Sequence, residues 1–214
     1  MRTHCVFVTG GTGYVGRPLI DRLIERGHAV RALARATSAA VLPSSAIRIV
    51  GDALDPSTYA GGVGPADSFV HLVGTPHPNP GKAREFRAVD LASVRAATDV
   101  AKRARVAHFV YLSVAHPAPV MHAYIAVRRE GEALVRGTAI PATILRPWYV
   151  LGPGHRWPAL LKPLYALFEQ LPATRDTARR LGLVTLEQMV AALTYAVEQP
   201  PGQLRICEVP EIRT

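Results

Sequence analysis

The sequence predicts an α/β fold, a doubly wound parallel sheet with helices on both faces. Three observations carry that prediction. Short runs of strand-forming residues alternate with helical patterns along the chain, as parallel sheets require. The first run, Cys5 to Thr9, breaks into Gly10-Gly11-Thr12-Gly13-Tyr14-Val15-Gly16 and leads directly into a helical pattern. A second strand at His28 to Arg35 then completes a βαβ unit of about the expected ~30 residues.

The glycine turn defines the chemistry. A phosphate held at a helix start is bound by free backbone N–H groups and by the positive end of the helix dipole, so the main chain must come close to it. Glycine permits that approach. Gly10 supplies the tight turn off the strand, Gly13 the contact face for a pyrophosphate, and Gly16 the close crossing of helix on strand. The helix follows in Arg17 to Arg26, with Leu19, Ile20, Leu23 and Ile24 at helical spacing and Gly27 as its C-cap. Strand, glycine turn and helix in this order predict a Rossmann-type dinucleotide-binding fold, with a small C-terminal substrate cap.

The spacing Thr9-Gly10-Gly11-Thr12-Gly13-Tyr14-Val15-Gly16 resembles the short-chain dehydrogenase/reductase superfamily, and within it the extended and atypical branches. Those branches include sugar-nucleotide epimerases and NmrA-like proteins. The resemblance covers nearly the whole chain, is strongest over residues 5 to 16 and is thin after 150. It implies a nucleotide site that takes in Thr12, Tyr14 and Val15 beside the glycines.

The remaining elements follow in order. Arg35 stands at the end of the second strand, where a carboxylate would select NAD; a guanidinium there pairs with a 2′-phosphate and favours NADP, with NAD the alternative. A solvent-facing arginine is the other reading. Ile47 to Asp52 is a third strand. The resemblance carries Asp52 over as an adenine contact, with Ala53 beside it, whereas Asp55-Pro56 nearby favours a turn carboxylate. Asp67 to Gly74 is a fourth, buried strand whose end, Leu72, Val73, Gly74 and Thr75, runs past the cofactor. Pro76 to Gly81 cannot continue strand or helix and forms a mobile rim.

A long helix follows from Lys82 to Arg105, with Phe86, Val89, Leu91, Val94, Ala97 and Ala101 facing the core. Asp90 falls where the resembled enzymes carry an asparagine that supports a proton relay; a helix-surface carboxylate near Arg87 is its other reading. Ala107 to Ser113 is a fifth strand. The helix after it places Tyr124 and Arg128 on one face at i, i+4. The resemblance implies a Ser-Tyr-Lys set: serine polarises a carbonyl, tyrosine exchanges the proton, and lysine binds ribose and lowers the tyrosine pKa. Here Ser113 and Tyr124 match, and Arg128 replaces the lysine. A guanidinium keeps the charge and a ribose donor but cannot pass a proton on. Ser113 as a strand-end cap and Tyr124 as a plain amphipathic residue stand beside these roles. His116 and His122 lie between them in sequence, and both are more simply bystanders.

Pro141 to Pro147 is a sixth strand. By the resemblance, Pro147, Trp148, Tyr149 and Val150 line the nicotinamide and open the substrate pocket, followed by a loop from Leu151 to Pro158. Trp148 and Trp157 either flank a planar substrate or pack in the core. Leu160 to Leu171, interrupted by Pro163, is apolar enough for a lid, a dimer contact or a surface that touches membrane, of which lid or dimer contact is the preferred reading. Leu186 to Val197 is a final amphipathic helix started by Thr185, and Leu204 to Val209 a closing strand.

The whole chain, 214 residues, suits one domain (1–214), with 151–184 as the cap or lid. No apolar run reaches transmembrane length and no signal-peptide order opens the chain, so a cytoplasmic setting is expected. Cys5 and Cys207 read as small core residues in a reducing compartment. The net charge of +9 reads as scattered surface arginines, and no nucleic-acid motif accompanies it. The histidines show no metal-ligand spacing. The expected function is therefore an NADP-dependent oxidoreductase or epimerase-like enzyme acting on a small or nucleotide-linked carbonyl. The alternative is a non-catalytic NADPH-binding sensor or assembly protein, of the kind that NmrA-like proteins and the related complex I accessory subunit represent, with a protein partner or a second copy.

Overall fold

The computed structural model describes residues 2–153 and 175–214. Seven parallel strands form the main sheet in the order β3-β2-β1-β4-β5-β6-β9. They are β1 (Cys5–Thr9), β2 (Ala29–Ala34), β3 (Ile47–Val50), β4 (Ser68–His71), β5 (His108–Leu112), β6 (Ala142–Leu145) and β9 (Leu204–Cys207). A separate parallel pair, β7 (Tyr149–Leu151) with β8 (Leu183–Thr185), lies beside it. Those two strands are three residues each, too short for a period to register in sequence, and they straddle the two ends of the expected cap.

Strand alternation sorts side chains onto two faces. Val6, Val8, Val70, Val110 and Leu145 join Leu19, Ile20 and Leu23 of α1 (Gly16–Glu25) on one side, together with Met189, Leu193 and Val197. Phe7, Phe69, Phe109, Tyr111 and Ile144 point the other way. There Tyr59, Phe7, Phe69 and Phe109 form a continuous aromatic row, with ring centroids 6.1, 5.0 and 5.2 Å apart. Such contacts add to the area burial that drives the sheet together.

Helix α1 ends as the sequence indicates. Gly27 has φ +82°, its N–H reaches Ile24 O, and His28 N–H reaches Leu23 O, the paired bonds of a Schellman cap. The helix 186–198 opens with a capping box: Gln188 N donates to Thr185 Oγ1 and Thr185 N to Gln188 Oε1.

Several expectations are corrected. The fourth strand stops at His71 rather than Gly74, where β1, its partner on one edge, turns away at Gly10. The long helix, which comes after the short α2 (Ala60–Val63), is broken: α3 (Ala83–Glu85) passes into a π-helical turn at Phe86–Leu91 before α4 (Ala92–Arg103). The closing strand ends at Cys207, and Val209–Ile212 is a short helix, since Pro210 offers no ladder N–H. Cys5 and Cys207 are half-buried free thiols, and Cys207 packs against the core. Trp157, His155 to Pro158 and Leu160 to Leu171, with most of the expected cap, lie outside the described residues. No helix among the described residues is long and apolar enough to cross a membrane.

Candidate functional site

The order of strands reverses between β1 and β4, and at that switch point the carboxyl ends of both open toward the same crevice. Backbone packs on backbone there. Gly10 has φ +75°, and a Cβ on it would lie 2.9 Å from the Leu72 carbonyl carbon. A Cβ on Gly16 would collide with Gly10 O and the Gly11 Cα. Gly13 donates its N–H to Gly10 O at 3.0 Å, closing the turn, and remains exposed. Thr12, Tyr14 and Val15 around it are half-buried, and the Tyr14 hydroxyl packs against Gly152. At Gly10 and Gly16, backbone therefore packs directly on backbone, and Gly13 presents main chain at the surface of the turn.

Arg35 is exposed directly after β2, with its backbone carbonyl accepting from Ser38. Asp52 is exposed after β3, where its Oδ1 accepts from Leu54 N at 2.9 Å; the turn-carboxylate reading is therefore realised, and the half-buried Ala53 follows it. Leu72, Val73 and Gly74 are half-buried along the crevice. Pro147 is buried with its carbonyl accepting from Ala115 N, while Trp148 and Val150 pack against the core.

The polar cluster lies farther along the sheet, on α5 (His122–Arg136). Arg128 is 5% exposed. Its Nη2 pairs with Asp90 Oδ1 at 2.6 Å, and its Nη1 donates to Leu112 O at 2.9 Å. Its guanidinium carbon sits 5.1 Å from the centroid of the Tyr124 ring and 5.9 Å from that of Tyr111. Nη2 also fills the place a side chain on Gly74 would take, so glycine at 74 makes room for the arginine. Burial alone would lower the guanidinium pKa, but the neighbouring Tyr124, Tyr111 and Asp90 outweigh it and raise it, so the charge is permanent.

Asp90 corrects its sequence alternative. It is 1% exposed rather than a surface carboxylate near Arg87, because the π-helical turn aims it inward. Its Oδ2 accepts from Thr75 N at 3.0 Å and Thr75 Oγ1 at 2.6 Å. Arg87 pairs instead with Glu130.

Ser113 is buried, and it donates its hydroxyl to Glu132 Oε1 at 2.7 Å, which engages the hydrogen that the resemblance assigns to a carbonyl. Glu132 in turn receives Arg146 through both oxygens, at 2.8 and 2.5 Å, and Arg136 at 3.1 Å. Burial pushes the Glu132 carboxyl up, but the bonds from Arg146 and Ser113 hold it below its ordinary value. His116 Nε2 lies 3.4 Å from Glu132, with burial and Arg146 lowering its pKa; His122 is exposed at the start of α5. Sequence reasoning missed Glu132 although its spacing was available: Tyr124, Arg128 and Glu132 follow at i, i+4 and i+8 on one helical face.

Tyr124 is half-buried, with its ring 4.9 Å from Phe86. The structure thus brings Tyr124, Arg128 and Asp90 together, and it pairs Ser113 with Glu132. A cleft of about 800 Å³ among the described residues lies elsewhere, between Pro18, Asp21 and Arg22 of α1 and Leu186, Val190 and Ala191. It does not open onto the glycine turn. No group of three metal-ligating side chains occurs among the described residues.

The model of the NAD(P)H-binding family matches residues 10–156. A ceramide reductase of Caulobacter vibrioides is 30% identical over 97% of this chain, and a 4-hydroxy-2-methyl-3-oxo-4-farnesyl-3,4-dihydroquinoline-1-oxide ketoreductase of Stigmatella aurantiaca is 29% identical over 71%. The matches span 65% and 51% of those two proteins' own lengths. Among solved structures, a short-chain dehydrogenase/reductase superfamily protein of Agrobacterium tumefaciens with bound NAD superposes with TM-score 0.70 at 19% identity, over 96% of this chain and 77% of that one.

Proposed function

The chain belongs to the NAD(P)H-binding family, within the short-chain dehydrogenase/reductase superfamily, and from that premise we propose that it is an NADP(H)-dependent carbonyl reductase. The observation that carries this is the bare glycine turn at the switch point between β1 and β4. In this reading the amides of Gly10 to Gly16 hold the diphosphate, and Arg35 meets a 2′-phosphate. Asp52 and Ala53 border the adenine, while Leu72, Val73, Gly74, Pro147 and Val150 flank the nicotinamide. When bound, the reduced nicotinamide is the hydride donor.

Tyr124 holds the proton that the carbonyl oxygen takes as its carbon gains hydride. The phenolate left behind faces the Arg128 guanidinium, a charge that favours it without ever releasing a proton of its own. The phenol is then reprotonated from solvent. Since Ser113 is committed to Glu132, the Tyr124 hydroxyl alone both polarises and protonates the carbonyl. The reductase relatives are named for ceramide and a farnesylated dihydroquinoline oxide, which favours a bulky apolar carbonyl over a nucleotide-linked one.

Turnover of NADPH with a panel of apolar ketones tests this. Tyr124→Phe should lower kcat by about 10²–10⁴ with NADPH affinity unchanged; tight NADPH binding with no Tyr124-dependent turnover across the panel would refute the enzyme reading. A second reading, a nucleotide-binding sensor or assembly protein, draws on the same two commitments, Ser113 to Glu132 and Arg128 to Asp90. NADPH should then change association with a protein partner or a second copy without being oxidised.

A further inference from the structure

His71 closes β4, is fully enclosed, and has no part in the reading above. Its ring joins two elements. Nδ1 lies 2.8 Å from Thr9 Oγ1, and Nε2 lies 3.3 Å from Ser93 Oγ. The hydrogens follow by elimination. Ser93 donates its only hydroxyl hydrogen to Asp90 O at 3.1 Å, so it can only accept from His71, and Nε2 carries the ring proton. Nδ1 therefore bears the lone pair and accepts from the Thr9 hydroxyl. Burial first, then the positive charge of Arg128, push this imidazole down to about 3, so the neutral tautomer persists at working pH.

The result is a buried chain of donors running one way, from Thr9 through His71 and Ser93 to the carbonyl of Asp90. Its ends are the two halves of the site. Thr9 immediately precedes Gly10, and Asp90 holds Arg128 and Thr75. The Asp90 end also lies in the π-helical turn, where the ordinary i→i−4 ladder does not fix the register, so a side-chain bond to that carbonyl gains positional weight.

We propose that His71 is a positioning residue that holds the glycine turn and the Asp90–Arg128 pair in one mutual geometry, so that the grip on the nucleotide and the placing of the Tyr124 site are set together. The nucleotide half of this rests on the function proposed above.

The test uses the full chain with NADPH as probe, and the variants Thr9→Val, Ser93→Ala and the two combined. Neither residue belongs to the set assigned to the nucleotide. Each single variant should weaken NADPH by about tenfold, the scale of one buried hydrogen bond. The double variant should be no weaker than either single one, because a chain already cut loses nothing at the second cut. Thr9→Ser, which keeps the hydroxyl, should return the parent affinity. A second measurement needs no nucleotide: amide hydrogen exchange over residues 10–16 should quicken in Ser93→Ala, although Ser93 touches none of them. Parent-like affinity and parent-like exchange in Ser93→Ala would overturn the proposal while leaving the nucleotide reading intact, as would losses that simply add. Faster exchange in a chain that never binds NADPH would keep the coupling and remove the nucleotide reading instead.

Discussion

The two halves of the crevice are built on opposite principles. At the glycine turn, side chains are removed so that main chain is presented bare: Gly10 and Gly16 pack backbone on backbone, and Gly13 is exposed. Around Tyr124 polar side chains are gathered, and most are already committed to one another: Arg128 to Asp90 and Leu112 O, Asp90 to Thr75, Ser113 to Glu132, and Glu132 to Arg146. In the function proposed above, the first half receives the nucleotide on main chain and the second offers a substrate chiefly the Tyr124 side chain, so the chemistry depends on which hydroxyl the buried network leaves available.

The comparison breaks most visibly at Asp90. Asp90→Ala leaves a buried guanidinium without its counter-charge, and urea unfolding should register a loss of about 3–5 kcal/mol. Gly16→Ala tests the other half. Its new methyl meets Gly10 O and the Gly11 Cα, and overpacking of this kind costs about 1–3 kcal/mol; NADPH binding should be lost even where the chain stays folded.

A pH series separates the halves more finely. The ring of His71 is ordinary at 6.5 and lies at about 3 in the folded chain. Its contribution to stability is therefore complete above 6.5 and is lost as pH falls toward 3, because the unfolded ring takes the proton first. Glu132, held below its ordinary 4.5, contributes above that value and loses its contribution as pH drops through the folded one. His71→Asn should flatten the decline in urea midpoint that begins near 6.5, and Glu132→Gln only the part below 4.5. An identical slope in parent and His71→Asn between those values would contradict the assignment.

The smallest effect is expected at exposed Arg35. Arg35→Ala should weaken NADPH by about 1 kcal/mol, roughly fivefold, and leave NADH unchanged, since a solvent-facing charge pair is screened. Equal affinity of the parent for the two nucleotides would remove the basis for the NADP preference.

Most of the fold was legible because its signals are local. The run Cys5 to Gly27 states strand, turn, helix and cap within one stretch, and the capping box at Thr185 and Gln188 lies within four residues. The parallel pair β7 and β8 was not legible, since its pairing joins Tyr149–Leu151 to Leu183–Thr185 across distant sequence. In the site, Tyr124 and Arg128 could be placed together by helical spacing alone. Whether Ser113 faced a substrate or the interior could not, because that depends on Glu132 on α5 and Arg146 just past the end of β6, which meet only in the folded chain.

By itself the sequence determined that a strand would run into a side-chain-free turn and a helix, since glycine's freedom and the periods of apolar residues act over a few neighbours. Only the tertiary structure decided how the charges are spent. Asp90 is turned inward onto Arg128 and Ser113 onto Glu132 because buried polar groups must find partners, and the partners available are those that packing brings within about 3 Å.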